Sequence, residues 1–169
     1  MKYILFALLF LPGVIMASGK KAPNAAVSFH LETTADEFPK FARKVNTLAG
    51  DGYYRQIPEA STKDITSFTS FPAEDGNTYG LVFKLDKEAA RRLQATTSLH
   101  NGKLLLAMIN GQPHGVVRID RPISDGILVI WKGVKLEHIR FYDETLPRIG
   151  ESKKEWKERR KKEKKKAKQ

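Results

Sequence analysis

From Val27 onward, apolar and polar residues alternate: Val27, Phe29 and Leu31 interleave with Ser28, His30 and Glu32. This is the period-two pattern of a half-buried strand. The spacing then changes. Phe38, Phe41, Ala42, Val45, Leu48 and Ala49 fall on one helical face, preceded by the capping residues Thr33-Thr34-Ala35-Asp36. Asp36 is the better N-cap, because it leaves Pro39 at the third helical position, where no intrahelical donor is needed. Gly50-Asp51-Gly52 ends this expected helix, and a strand follows from Tyr53 to a stop at Pro58.

Residues 61–75 fit two descriptions. Ile65, Phe68 and Phe71 recur every third residue with Thr and Ser between them, which suits a bulged strand or an irregular packed loop. Asp75-Gly76-Asn77 is a turn, and residues 79–85 form a strong strand. Asp86 then caps a helix with Ala89, Ala90 and Leu93 on one face, ended by Asn101-Gly102. Residues 103–109 are almost all apolar, as expected of a strand buried on both faces. Asn110 and Gly111 predict a tight structural turn, because both central positions of a type I′ hairpin need positive φ. Val116, Val117 and Ile119 return the chain. Pro122 and Asp125-Gly126 make a turn, and residues 127–131 form a further buried strand closed by Gly133. Leu136, Ile139, Tyr142 and Leu146 suit a helix, although residues 136–141 also read as a strand. The expected class is α+β: a mostly antiparallel sheet with two or three helices on one face.

The first residues are different in kind. Lys2 precedes an apolar run from Tyr3 to Leu11, then Pro12-Gly13, with small residues Ala17, Ser18 and Gly19 at the cleavage positions. The order is that of a secretory signal peptide over 1–17, too short for a spanning helix. A linker over 18–24, one domain over 25–150 and a tail over 151–169 complete the expected organisation, and the mature protein is expected outside the cytoplasm.

The chain has 169 residues and no cysteine, which excludes disulfides, zinc–thiolate sites, a Cys nucleophile and a lipoprotein anchor. Its formal charge is +11, but the tail holds eleven Lys or Arg against four Glu. The body is nearly balanced. The anion-binding candidates are therefore Lys153, Lys154, Lys157, Arg159, Arg160, Lys161, Lys162, Lys164, Lys165, Lys166 and Lys168. Glu155 with Arg159, and Glu158 with Lys162, have the favourable i, i+4 spacing. A helix to about Lys162 is expected to give way to mutually repelling lysines, and a disordered solubilising tail is the alternative. As a tether, the tail suits an anionic membrane surface or cell-envelope polymer better than nucleic acid, given export. Trp156 suits a lipid interface or packing against the body.

Little else carries chemistry. His30, His100, His114 and His138 show no metal-ligand spacing. His30 reads as a surface residue of its strand and His114 as a solvated one after the hairpin. Asp120 and Asp125 flank Pro122, where turn formation accounts for them better than a calcium loop does. No nucleophile elbow, phosphate loop or dinucleotide fingerprint occurs. No catalytic residue, metal or cofactor is expected.

One stretch resembles a known family. Val82-Phe83-Lys84-Leu85-Asp86, then Ala89-Ala90 and Leu93, the run from Gly102 through Leu104-Leu105-Leu106-Ala107-Met108-Ile109-Asn110-Gly111, and Ile130-Trp131-Lys132-Gly133 follow in order. Together they resemble the head region of the first periplasmic domain of SecD, over 81–133. Here His114-Gly115-Val116 stands where that family has small residues and proline. The resemblance implies an exported α+β module whose relatives contact polypeptide. A non-enzymatic protein- or peptide-binding or structural envelope module is the expected function, with anionic-polymer or membrane-surface binding through the tail as the alternative and a hydrolase as a third.

Overall fold

The alternation at Val27 becomes β1 (Val27–Thr33), the central strand of a six-stranded sheet. A computed structural model describes residues 25–47 and 50–166; the expected signal peptide, its cleavage site and the linker lie outside the described residues. β2 (Ala42–Thr47) and β3 (Gly50–Arg55) form a hairpin that joins β1 through Glu32↔Tyr54. The short β4 (Ala60–Ser61) pairs with β1 beside it.

The expected helix over 36–49 is thus corrected to a strand hairpin. The capping bonds fall on Thr34 and not on Asp36, the expected N-cap: Thr34 Oγ1 accepts from the Glu37 amide at 3.1 Å and the Glu37 carboxylate accepts from the Thr34 amide at 3.3 Å. That box closes only a turn. Phe38 and Phe41 stay 37% and 54% exposed, whereas Val45 is buried against the strands by pairing opposite Gly52. Tertiary pairing outweighs helix periodicity here.

After a single 3₁₀ turn at Thr62–Asp64, β5 (Ile65–Pro72) carries a register shift between Ile65 and Ser67; of the two descriptions of this stretch, the bulged strand holds. β6 (Tyr79–Leu85) leads to α1 (Lys87–Leu99), whose first turn is capped by Asp86 Oδ1 accepting from the Ala89 amide at 2.8 Å. β7 (Leu104–Ile109) and β8 (Gln112–Arg118) flank a turn in which Asn110 has φ 52° and Gly111 φ 76°. β9 (Ile127–Val134) runs past Gly133, where closure was expected, and α2 (Leu136–Thr145) follows. The tail is α3 (Lys153–Lys166), longer than its lysine content suggested.

The class is α+β with antiparallel pairing throughout the named strands. The expected single sheet is two: β2-β3-β1-β7-β8 with β4, and β5-β6-β9. Pro122 and the turn at Gly126 separate β8 from β9 in the chain, and those strands do not pair. Between the sheets and α1 and α2 lies the main core, centred on Phe29, Phe68, Phe83 and Tyr142. A second cluster, Val45, Tyr54, Leu106 and Met108, covers the opposite face of the large sheet. β1 and β7 are therefore apolar-covered on both sides.

Candidate functional site

Strand edges are the reactive part of such a fold, because each presents a row of unsatisfied backbone donors and acceptors. The small sheet has two edges. β5 is covered where the chain returns: the Phe68 amide donates to Pro147 O at 3.1 Å, and the Ile149 amide donates to Phe68 O at 2.8 Å. Among the described residues, β9 pairs only with β6 at the other edge, and across from it β8 pairs only with β7. These two edges face each other.

Between them lies a cleft of about 480 Å³. Its floor is the main core, with Phe29, Leu105 and Leu128 reached between the strands. Val117 and Ile119 line the β8 side; Ile127, Val129 and Trp131 line the β9 side. The loop with Pro122 and Ile123 closes one end, carrying Arg121 and Asp120 at the rim. Trp131 is 63% exposed and meets Phe71 edge-on at 6.0 Å. A large exposed indole beside an apolar cleft is an uncommon arrangement on a folded domain without a partner.

At the opposite end the two strands are bridged. A Cβ on Gly133 of β9 would stand 3.5 Å from Nδ1 of His114 on β8, so the two are in contact. His114 also packs on His138 of α2. Burial lowers the pKa of both rings, and each is further disfavoured as a cation by Lys135. His114 is thus not the solvated residue its position after the hairpin suggested.

His30 is a second correction. It is 8% exposed, with Nδ1 donating to Arg55 O at 2.8 Å and Nε2 facing Ser28 Oγ at 2.8 Å. The sequence alternation placed it on the second face of β1 correctly. What it did not carry is that the β2–β3 hairpin covers that face. Burial pushes its pKa down. His100 ties the end of α1 inward, donating from Nδ1 to Thr96 O at 2.7 Å while Nε2 meets the Arg55 guanidinium at 3.3 Å. Asp125 makes a turn contact, accepting from the Ile127 amide at 3.0 Å. Among the described residues no three metal-ligating side chains cluster.

The structure divides the basic tail residues: Arg159 and Arg160 turn toward the body, and the lysines from Lys153 to Lys165 stay exposed. Ser152 and Glu155 close a capping box, with Ser152 N donating to Glu155 Oε2 at 2.8 Å and Glu155 N donating to Ser152 Oγ at 3.3 Å. That motif was legible as Ser-x-x-Glu before the basic run. Glu155 is thereby engaged at the cap, and Arg159 pairs instead with Glu151 at 2.9 Å, Glu163 at 3.3 Å and Asp143 at 3.4 Å. Trp156 Nε1 donates to Asp143 O at 3.3 Å, and Arg160 donates to Glu144 O. The helix therefore lies against the end of α2 through Trp156, Arg159 and Arg160, and the described part of the tail is helical. Lys168 lies outside the described residues, as does the side chain of Lys166.

Among solved structures the chain is similar to a membrane component SecDF that enhances protein export, at 17% identity and a TM-score of 0.48, over 71% of this chain and 60% of that one. It is also similar to SecDF in a super-membrane-facing form, at 18% identity and a TM-score of 0.47, over 68% of this chain and 17% of that one. The chain thus spans less than two thirds of either structure's length. Both likenesses are to SecDF, in keeping with the weak SecD-like segment read in the sequence. No family model matches the sequence, and no curated protein matches it. Among the described residues no helix is long and apolar enough to cross a membrane.

Proposed function

We propose that this chain is an exported, non-catalytic module that takes an extended, apolar stretch of polypeptide into the cleft between β8 and β9. The observation that supports it is the pair of facing strand edges, each paired on one side only among the described residues, above an apolar floor. A segment added to such an edge gains main-chain hydrogen bonds, and its alternate side chains enter the apolar lining. Affinity then comes from backbone pairing, and selectivity from Val117, Val129 and Trp131. The mixed rim of Asp120 and Arg121 favours neither sign of charge. Enhancement of protein export is said of SecDF; for this chain the cleft carries the assignment.

Trp131 supplies the readout. In a Trp156→Phe background, a peptide about eight residues long that alternates valine and serine should shift the Trp131 emission to the blue and saturate. The same peptide N-methylated at alternate amides should not, since it cannot complete the backbone pairing. Val117→Asp and Val129→Asp, on facing sides of the cleft, should each weaken binding by about tenfold or more for the loss of a buried apolar contact. Equal binding of the N-methylated peptide, or by both Asp variants, would remove the cleft as the site.

A further inference from the structure

We infer that the outward side of α3 is a lysine face that holds the protein against an anionic phospholipid surface, a function separate from the cleft. The way α3 lies on the body separates its charges. Trp156, Arg159 and Arg160 are half-buried and turned toward Asp143, Glu144 and Glu151. At roughly 100° per residue, Lys153, Lys154, Lys157, Lys161, Lys164 and Lys165 fall within about 120° of arc that begins beside Arg160 and turns away from those contacts, with Lys154, Lys161 and Lys165 farthest from them. All six are exposed, and none takes part in a described ion pair. The acidic residues of the helix lie elsewhere: Glu155 at the cap, Glu163 with Arg159, and Glu158 at the border of the lysine arc.

The composition of this face selects the partner. Arginine, which reads phosphate and base edges with a rigid fork, is turned inward at both Arg159 and Arg160. The indole of Trp156 is held by the Asp143 carbonyl and by the Arg160 guanidinium above its ring, so it offers no platform for base stacking. The face presents no apolar stripe for insertion. Six flexible ammonium groups along about 18 Å of helix match the diffuse charge of a headgroup layer, with adsorption at the surface and strong sensitivity to salt.

Co-sedimentation of the full chain with vesicles tests this. The protein should bind phosphatidylglycerol–phosphatidylcholine vesicles at low salt, not pure phosphatidylcholine, and should be released at about 1 M salt, where screening is nearly complete. The combined variant K154Q, K157Q, K161Q and K165Q should lose several hundredfold in affinity, since each of the four lysines near such a surface contributes about fivefold. Glutamine keeps helix propensity close to that of lysine, and circular dichroism of the variant should be unchanged. The charge-matched variant K40Q, K84Q, K87Q and K132Q, with four exposed lysines of the body changed, should bind nearly as the parent does. Equal losses in the two variants would reduce the effect to net charge and overturn the assignment. So would unchanged binding by the α3 variant, or tighter binding to duplex DNA than to the anionic vesicles at equal phosphate concentration.

Discussion

His114 of β8 and His138 of α2 stand edge to face, with ring centroids 5.9 Å apart and planes at 83°. The contact ties the β8 edge to the start of α2 at the end of the cleft where Gly133 touches the same histidine. A charge on His138 disfavours one on His114. Lys135, between β9 and α2, adds a positive charge near both, while Glu137 lies 3.9 Å from His138 Nε2 and favours its cation.

A pH dependence follows. Burial is the main cause holding both rings below the ordinary histidine value, and His30 is held below it for the same reason. A depressed pKa means that the unfolded chain binds more protons than the folded one as pH falls through the ordinary value of about 6.5. The stability these residues contribute is then complete above that value and is lost as pH falls toward and through the folded-state values. Thermal melts from pH 7.5 to pH 5 should show falling Tm, with a shallower fall in His114→Gln. The lowered carboxylates Glu37, Asp75, Glu151 and Glu155 give the same sign only below the ordinary carboxylate range, so the window isolates the histidines. A parent Tm that is flat across it would contradict the assignment.

Two glycines at positive φ separate strain from collision. Gly111 has φ 76° with open space where a Cβ would stand, whereas Gly126 has φ 67° and its Cβ would meet Ala90 Cβ of α1 at 2.7 Å. Gly111→Val should cost about 1–3 kcal/mol from backbone strain alone. Gly126→Ala adds a steric conflict between the cleft loop and α1 and should cost more than Gly111→Ala. Denaturant midpoints of the two alanine variants rank them, and the reverse order would mean that α1 yields at Ala90.

Tyr142 is fully buried and its ring meets Phe68, Phe83 and Phe141, while its hydroxyl donates to the Ala25 carbonyl. Burial raises its pKa far above the ordinary phenol value. Tyr142→Phe keeps the ring contacts and leaves one carbonyl unsatisfied, at about 1–3 kcal/mol. Tyr142→Ala also opens a cavity and should cost about 3–5 kcal/mol. Urea unfolding of both distinguishes the hydroxyl from the ring; equal losses would assign the whole effect to the hydrogen bond.

Legibility in the sequence follows the range of the interaction. β6, the Asp86 cap, β7 and the Asn110-Gly111 turn rest on local chemistry, and each was readable from a few adjacent residues. The hairpin at 42–55 was not. Its local signal at Thr34 and Glu37 is that of a helix start, and only pairing with β1 decides against it. The same pairing buries His30, whose alternation gives a face but not what covers it. The cleft has no signature of its own, because it arises where β8 and β9 fail to pair. His114 and His138 lie far apart in the chain and meet only through the packing of α2. The tail was readable in charge but not in placement, since the acceptors at Asp143 and Glu151 have no motif.

That placement changes what removing the tail should do. A solvated tail would leave the melt untouched, but Trp156 and Arg159 are anchored. The Arg159 guanidinium meets Glu151 with two hydrogen bonds, at 2.9 and 3.1 Å, and reaches Asp143, which Arg148 also holds at 2.8 Å. The indole adds apolar contact and a bond to Asp143 O. Truncation after Gly150 removes Glu151, Trp156 and Arg159 together. The half-buried indole and charge-assisted bonds, reduced for their partial solvent exposure, sum to about 2 kcal/mol. In a domain of this size that lowers Tm by several degrees. Trp156→Ala alone should give a large part of the loss, and the lysine-face variant of α3 none of it. A truncated protein that melts with the parent would show that these contacts contribute nothing net. A tail that stabilises through Trp156 and Arg159 yet binds through its lysines predicts that these two sets of variants separate the two readouts.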